Sequence, residues 1–294
     1  MQQHYIGKTS IQLDHLKSNR SVSNSLFAND GLAKKNDFIY EHINIERCTF
    51  SNISFNECIL KHVDFTHCAF IECYFSKSIL ENLNFRNCKF ISCQFSSTSF
   101  TNCDFFYTEW ESNYIKFSDL YSCLPSKYNN RSRLCKVMAH NCILDGNIAE
   151  YRKYFFENIK SRENHYKEII LRRDPFYRTY TKLDSFKNIF KLLGSKFNGI
   201  IWGHGERISN IIFSCIFIIL AYSVIYLKSN EIAILTTDKY LTSLYVSFAN
   251  FLTTSSSINF SSTFYRYIST FEGFLGISFL GLFVTALFKK INPR

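Results

Sequence analysis

The sequence predicts a multidomain membrane protein that combines a quadrilateral β-helix, a helical linker and an α-helical two-span domain with a re-entrant helix. Three observations lead to this fold class. A large apolar residue returns at every fifth position from Ile45 to Leu120. Two long apolar runs occupy residues 208–227 and 267–288, and a shorter one, 241–252, lies between them. The predicted segments are an N-terminal polar segment and cap (1–44), the β-helix (45–124), a basic helical linker (125–207) and the two-span domain (208–294).

The five-residue repeat defines the soluble half. A period of five fits neither an α-helix, at 3.6 residues per turn, nor a strand, at two. If four pentapeptides make one square coil of about twenty residues, the large centres lie inside and stacked coils share strand hydrogen bonds. The residue two positions before each centre is mostly small or compact. The sixteen centres are Ile45, Phe50, Phe55, Leu60, Phe65, Phe70, Phe75, Leu80, Phe85, Phe90, Phe95, Phe100, Phe105, Trp110, Ile115 and Leu120.

This repeat resembles the pentapeptide-repeat family, whose consensus is A-(D/N)-L-X-X with phenylalanine allowed at the centre. Residues 82–85 (Asn-Leu-Asn-Phe), 63–65 (Val-Asp-Phe) and 103–105 (Cys-Asp-Phe) are close matches. The resemblance implies a right-handed quadrilateral β-helix. Some members inhibit or protect gyrase by mimicking DNA with a strongly acidic rod. Residues 46–122 hold six basic and nine acidic side chains, and this weak imbalance argues against DNA mimicry.

The eleven cysteines do not indicate disulfides, a metal site or a cofactor. A cytoplasmic location disfavours disulfides, and no CxxC pair occurs in the sequence. Small apolar residues buried in the β-helix are the simpler interpretation. With no nucleophile–base pair, metal-ligand spacing or phosphate loop in the sequence, we expect no enzymatic activity. Seven cysteines share the five-residue frame: Cys48, Cys58, Cys68, Cys73, Cys88, Cys93 and Cys103.

The linker is basic and helical. Between Arg131 and Arg207 it holds sixteen Lys and Arg against eight Asp and Glu. No recognition motif accompanies this charge, so the sequence argues against nucleic acid binding. Asp145-Gly146 lies between two runs with helical periodicity and predicts the turn of a helical hairpin. Phe186, Ile189, Phe190 and Leu193 form a second amphipathic pattern, which predicts a helix that ends at Gly194. The basic segment 182–196 is suited to a membrane surface.

The two long apolar runs predict membrane spans. Residues 208–227 are twenty uncharged residues, which cross roughly 30 Å of hydrocarbon at about 1.5 Å per residue. Residues 267–288 form a twenty-two-residue run in which Glu272 is the one charge. Basic residues precede the first span and follow the second, whereas residues 228–266 hold three basic and two acidic side chains. The positive-inside rule then predicts that both chain termini lie in the cytoplasm.

The segment between the spans resembles the pore helix and filter of two-span potassium-type channels. The resemblance covers residues 243–257 and continues over 264–276, where the inner helix would begin. Together with the repeats, it is similar to a class of bacterial channel-like proteins. This implies a multi-pass protein of the inner membrane that forms a homotetramer around a pore for monovalent cations, because one two-span subunit cannot enclose a pore. The repeat domain would then regulate the channel or dock a cytoplasmic protein partner.

The predicted filter departs from the family pattern. The family's T-V-G-Y-G falls on Thr253, Thr254, Ser255, Ser256 and Ser257, so serine replaces both glycines. Those glycines adopt backbone angles that cost other residues roughly 1 kcal/mol or more. The alternative is a wider mouth lined by hydroxyl groups, which would hold hydrated ions and discriminate poorly. The sequence therefore favours a weakly selective cation pore.

Four residues of the second span are further candidates. An acid inside a span is usually functional or paired, so Glu272 either supports the filter by accepting hydrogen bonds from hydroxyls or faces water at headgroup level. Gly273, Gly276 and Gly281 allow close helix packing or a hinge, and packing is favoured.

Two other functions stay open. The serines in the filter are compatible with a membrane-anchored repeat scaffold that does not conduct. A nonselective filter would also suit a defence or toxin-like effector that depolarises the cell.

Overall fold

The structure, a computed structural model, describes residues 9–10, 21–28, 39–229, 238–254 and 260–291. The chain divides after Ser185 into two compact units, which are described separately.

The first unit begins with a parallel β-solenoid. Strands twenty residues apart pair in register, as Ile39, Ile59, Ile79 and Ser99 do along one side. From Ile39 onwards one coil therefore takes twenty residues, and the predicted β-helix is confirmed. The strands are β1 (Thr9–Ser10), β2 (Ser21–Ser23), β3 (Ser25–Ala28), β4 (Ile39–Glu41), β5 (Asn44–Glu46), β6 (Thr49–Ser51), β7 (Ile59–Lys61), β8 (Asp64–Thr66), β9 (Ala69–Ile71), β10 (Ile79–Glu81), β11 (Lys89–Ile91), β12 (Ser99–Thr101) and β13 (Glu109–Glu111).

Four sides close each coil. Their sheets run in the orders β1-β3-β6-β9-β11-β13, β12-β10-β7-β4 and β2-β5-β8. Bridges that join Ser54, Tyr74, Gln94 and Tyr114 in sequence make the fourth side. Parallel pairing on every side turns the five-residue period into a four-sided rod.

The interior of the solenoid is filled by columns of aromatic rings. Phe50, Phe70 and Phe90 stack with centroids 4.9 Å apart, and Trp110 continues this column at 4.3 Å. Parallel columns run through Phe55, Phe75 and Phe95 and through Phe65, Phe85 and Phe105. All of these rings are buried, so the interior is a packed core and not a channel.

Where the residue two positions before a centre is cysteine, serine or threonine, its side chain donates a hydrogen bond to a backbone carbonyl, in most cases one of the preceding coil. Cys73 Sγ donates to the carbonyl oxygen of Phe50 at 3.4 Å, and Ser78 Oγ donates to that of Phe55 at 2.5 Å. All eleven cysteines are free thiols, and ten are buried. Burial, followed by the nearby Glu57 charge, raises the pKa of the Cys58 thiol to about 11. The thiol therefore keeps its proton at neutral pH and donates to the carbonyl oxygen of Asn56 at 3.5 Å.

Each pentapeptide also places one residue in the left-handed region. From His42 to Ser112 every fifth residue has φ between 51° and 60°, and none of the fifteen is glycine. Asparagine occurs at four of these positions and tolerates the conformation, whereas other side chains pay a steric cost. The corners of the coil are therefore strained at most repeats.

A helical hairpin closes the end of the solenoid. Glu150 accepts a hydrogen bond from the backbone N–H of Phe117 at 2.6 Å, and Tyr154 Oη donates to the carbonyl oxygen of Ile115 at 2.9 Å. The hairpin turn contains Gly146 at φ 70°, where the sequence predicted a turn. Its apolar residues join the solenoid core in one continuous cluster. The helices are α1 (Phe117–Leu120), α2 (Tyr128–Leu144) and α3 (Ile148–Leu171).

The next helix, α4 (Lys182–Trp202), is longer than the sequence predicted. The expected end at Gly194 is wrong, because the apolar spacing continues through Phe197 and Ile200. A glycine inside a helix costs only about 1 kcal/mol, which the longer apolar face offsets. The helix ends where Gly203 adopts φ 59°.

The second unit contains two helices long and apolar enough to cross a membrane, α5 (Ile208–Tyr226) and α7 (Thr263–Ile291). The thirteen-residue helix α6 (Lys239–Phe251) lies between them in sequence and packs against both. Helix α7 begins four residues before the predicted span. Arg266, which directly precedes the predicted span, lies in the first turn of α7. Its Nε donates a hydrogen bond to the carbonyl oxygen of Phe260 at 2.5 Å.

Candidate functional site

A buried carboxylate joins helices α5, α6 and α7 of the second unit. Glu272 on α7 is completely buried. Its Oε1 accepts a hydrogen bond from Ser247 Oγ on α6 at 2.5 Å, and its Oε2 accepts one from Tyr226 Oη on α5 at 2.8 Å. Asn250 Nδ2 donates to the same tyrosine hydroxyl at 3.2 Å. Glu272 therefore points between the three helices, where neutral hydroxyl groups donate hydrogen bonds to both of its carboxylate oxygens.

The helical period brings these donors together. Ser243, Ser247 and Asn250 follow one another at spacings of four and three, which places them on one face of α6. All three are buried. Ser247 Oγ also lies 2.8 Å from the carbonyl oxygen of Ile219 on α5. One serine thus binds both neighbouring helices.

The approach of α6 to α7 depends on one glycine. A Cβ atom at Gly276 would overlap the carbonyl oxygen of Phe251, the last residue of α6. At Gly273 the same atom would lie 3.4 Å from the carbonyl oxygen of Asn250, and at Gly281 it would meet nothing within 4 Å. Of the three glycines that the sequence singled out, Gly276 makes the closest backbone contact.

The end of α6 is a capped turn formed by the first two residues of the predicted filter. The backbone N–H of Thr253 bonds to Asn250 O at 3.0 Å, and that of Thr254 bonds to Ala249 O at 2.9 Å. Thr253 has φ 59°. These are the bonds of a Schellman motif, in which the left-handed position usually holds glycine. The other filter residues, Ser255, Ser256 and Ser257, lie outside the described residues.

Sequence reasoning missed three members of this site: Tyr226, Ser247 and Asn250. Polar residues repeated on one face of an otherwise apolar helix were the available signal for Ser247 and Asn250. Nothing in the sequence pairs Tyr226 with Glu272, since forty-six residues separate them. In the described part of the chain, no group of three His, Cys, Asp or Glu side chains is placed to hold a metal ion.

The arrangement is suited to positioning rather than to covalent chemistry. The hydrogen bonds of Glu272 and the close contact at Gly276 fix the C-terminal end of α6 against α7. A helix C-terminus carries a negative partial charge from its last carbonyl groups. The contacts at Glu272 and Gly276 therefore fix the position of a helix end that weakly attracts cations.

Comparisons with known proteins reach the repeat region. A family model described as "Pentapeptide repeats (8 copies)" matches residues 41–76 and 68–105. These residues are pentapeptide repeats, and the match ends at Phe105, before the helical half. No curated protein matches the chain.

Solved structures of repeat proteins are also similar. A pentapeptide repeat protein, Rfr23, from the cyanobacterium Cyanothece 51142 is 15% identical over 31% of this chain and 63% of its own, with a TM-score of 0.16. The present chain thus spans less than two thirds of Rfr23. The plasmid-mediated fluoroquinolone resistance protein QnrB1, in a trypsin-treated form, is 11% identical over 37% of this chain and 82% of its own, with a TM-score of 0.15. At these values the likeness says nothing about function.

Proposed function

We propose that the second unit is the pore-forming part of a homotetrameric ion channel of the bacterial inner membrane, weakly selective for monovalent cations. Helices α5 and α7 cross the bilayer, and α6 is the re-entrant pore helix. The observation that carries this proposal is the set of contacts at Glu272, Ser247 and Gly276, which fixes the C-terminal end of α6 against α7. Both chain termini lie in the cytoplasm.

The length of α6 supports a re-entrant position. Its thirteen residues rise about 20 Å at 1.5 Å per residue, which is short of the roughly 30 Å that a span needs. Non-helical backbone at membrane depth is tolerated where protein buries it or where it lines water.

The exposed surfaces of the spans support self-association. Only 11% of the most apolar stretch of α5 and 22% of that of α7 are buried within the chain. Lipid tails and neighbouring copies are the two ways to cover such surface. A pore requires copies around a closed symmetry axis, and the resemblance to two-span channels favours four.

Weak selectivity follows from the end of α6. Its carbonyl end favours cations over anions. Serine at both filter positions where the family has glycine favours a wider, hydroxyl-lined mouth that keeps ions hydrated. The repeat domain regulates the pore or docks a cytoplasmic protein partner, and we propose no enzymatic activity and no cofactor.

Recording from the purified full-length protein in planar bilayers, with potassium on one side and sodium on the other, tests this function. Unitary currents that reverse close to zero are expected. A reversal close to the potassium equilibrium potential would contradict weak selectivity. Silence from the full-length protein and from a variant lacking residues 1–130 would contradict the channel.

A membrane-anchored repeat scaffold is the second candidate. A solenoid with a filled core, followed by two helices that could cross a membrane, is sufficient for that function without a pore. Membrane localisation of the repeats without conductance would favour the scaffold. Depolarisation of intact cells on expression would instead favour the effector.

A further inference from the structure

Helix α4, which precedes the first span, exposes an apolar face among the residues that the structure describes. Five large side chains of α4 recur at spacings of four and three, which places them in one stripe. Their exposed fractions lie between 57% and 71%. A soluble surface seldom carries such a stripe without a partner. The five residues are Phe186, Phe190, Leu193, Phe197 and Ile200.

Lysines border this stripe. At about 100° of rotation per residue, Lys187 and Lys196 lie on opposite margins of the apolar face, and Lys191 lies further round the helix. All three are exposed, whereas Asn188 and Ser195 on the opposite side are buried. Lysines at the margins of an apolar stripe extend their amines towards water or phosphate while their stems stay near hydrocarbon.

Hydrogen bonds hold the end of α4 at the level where the first span begins. Asn210 Nδ2 donates to the carbonyl oxygen of Gly199 at 2.9 Å, and Ser214 Oγ donates to that of Ile201 at 3.2 Å. These donors lie in the first two turns of α5 and satisfy carbonyls of the last turn of α4, which lack partners within the helix. An ion pair between Glu206 and Lys289 ties the same end to the C-terminal end of α7.

A groove lies next to the contact between α4 and α5. It encloses about 720 Å³ between the last turns of α4 and helices α5 and α7. Phe197, Ile200, Phe213, Phe217 and Phe279 are among the side chains that line it. Such a groove has the size and polarity to take part of a lipid acyl chain.

We propose that α4 lies in the headgroup layer and binds anionic phospholipid. Lys187, Lys191 and Lys196 bind the lipid phosphates, the aromatic stripe enters the acyl boundary, and one acyl chain occupies the groove. The excess of lysine over acid on this helix favours a lipid surface over a second copy of the same basic helix, because two copies would repel. The proposal rests on the proposed function in one respect only, that α5 crosses the bilayer, and does not require conduction.

Native mass spectrometry of the detergent-solubilised full-length protein tests this site. The protein is mixed with equal amounts of phosphatidylglycerol and phosphatidylcholine, and the retained lipid is counted. The wild type is expected to retain phosphatidylglycerol preferentially. The K187Q/K191Q/K196Q variant should lose roughly 100-fold in that preference, since each lysine near an anionic surface contributes about fivefold.

A matched control removes the same charge elsewhere. Lys136, Lys160 and Lys167 are exposed on α2 and α3, so K136Q/K160Q/K167Q should behave as the wild type. K187R/K191R/K196R keeps the charge and should restore the preference. Equal losses in both glutamine variants, or an unchanged preference in the first, would overturn the proposal. A change in the number of copies with unchanged lipid preference would assign the face to a second copy instead.

Bilayer recording of the same variants separates this site from the proposed function. Loss of lipid preference with currents retained supports the lipid site independently of the pore. Preferential lipid binding by a silent protein would leave the site standing and contradict the channel alone.

Discussion

The two units of the protein bury their apolar residues in opposite ways. In the solenoid, the large centre of each pentapeptide lies inside the chain's own core and contacts the centres above and below it. In the second unit, large apolar side chains cover the outside of α5, α6 and α7. The solenoid therefore buries its large apolar side chains within the chain, whereas the second unit leaves much of its apolar surface exposed, which we propose lipid and other copies cover.

Polar groups are also used differently. In the solenoid the same donor position repeats from coil to coil, so that each bond is one of many similar ones. In the second unit a single cluster around Glu272 joins three helices. A substitution in the solenoid should act locally and independently of the membrane, and one in the cluster should affect the whole unit.

The largest expected effect is in the solenoid core. Phe70→Ala removes a fully buried ring that stacks between Phe50 and Phe90. We expect a loss of about 4 kcal/mol, which corresponds to about 12 °C in the melting temperature of a unit of this size. Thermal unfolding of the full-length protein measures this loss of stability, which should be equal in detergent and in lipid. Ile79→Ala, at a half-exposed position, is the control and should change little. A loss that depends on lipid would contradict the self-contained core.

The next effect tests the contact between α6 and α7. Gly276→Ala places a methyl group on the carbonyl oxygen of Phe251, and backbone cannot move aside as a side chain can. We expect a loss of about 3 kcal/mol and altered or absent currents. Gly281→Ala adds the same methyl group in open space and should be neutral or raise stability by up to about 1 kcal/mol. If both variants unfold at the same temperature, the packing account is wrong.

A smaller effect is expected when one donor is removed from the buried carboxylate. Ser247→Ala leaves Glu272 with one fewer hydrogen bond in a buried site, which costs about 2 kcal/mol. The matched control is Ser278→Ala, because Ser278 donates to Phe274 O of its own helix and is exposed. Thermal unfolding and the ion selectivity of both variants are measured. Equal unfolding temperatures and equal selectivity of the two variants would contradict a stabilising role of the hydrogen bonds to Glu272.

The smallest effect sharpens the account of the solenoid corners. Glu72 adopts φ 54° on the exposed surface. Glu72→Asn should raise stability by about 0.5 kcal/mol, because asparagine tolerates the left-handed region. Glu72→Val should lower it by about 1 kcal/mol, because a β-branched residue resists that conformation. Chemical denaturation resolves the order of the three proteins, and the reverse order would contradict corner strain.

The solenoid was predictable because its period is unbroken and unlike that of a helix or a strand. The hydrogen bonds of its small residues were not, since Cys73 fits the interior equally well as an apolar residue and only the position of Phe50 O shows the bond. The left-handed corners were also missed, because no glycine signals them.

The second unit was predictable in its helices and less so in its contacts. The apolar runs located α5 and α7 to within a few residues. Glu272 was recognised as a candidate from its charge, but its partners come from separate helices and carry no common motif. The predicted end of α4 at Gly194 is wrong because the apolar spacing continues beyond this glycine to Ile200.

The number of chains in the lipid-bound protein tests the central contrast most directly. If the second unit is incomplete alone and forms a pore with its copies, native mass spectrometry of protein extracted in lipid nanodiscs should give four chains. The assembly should persist when residues 1–130 are removed, because the exposed faces of α5 and α7 form it. A folded, stable monomer in lipid would contradict the account, since one copy of these helices cannot enclose a pore.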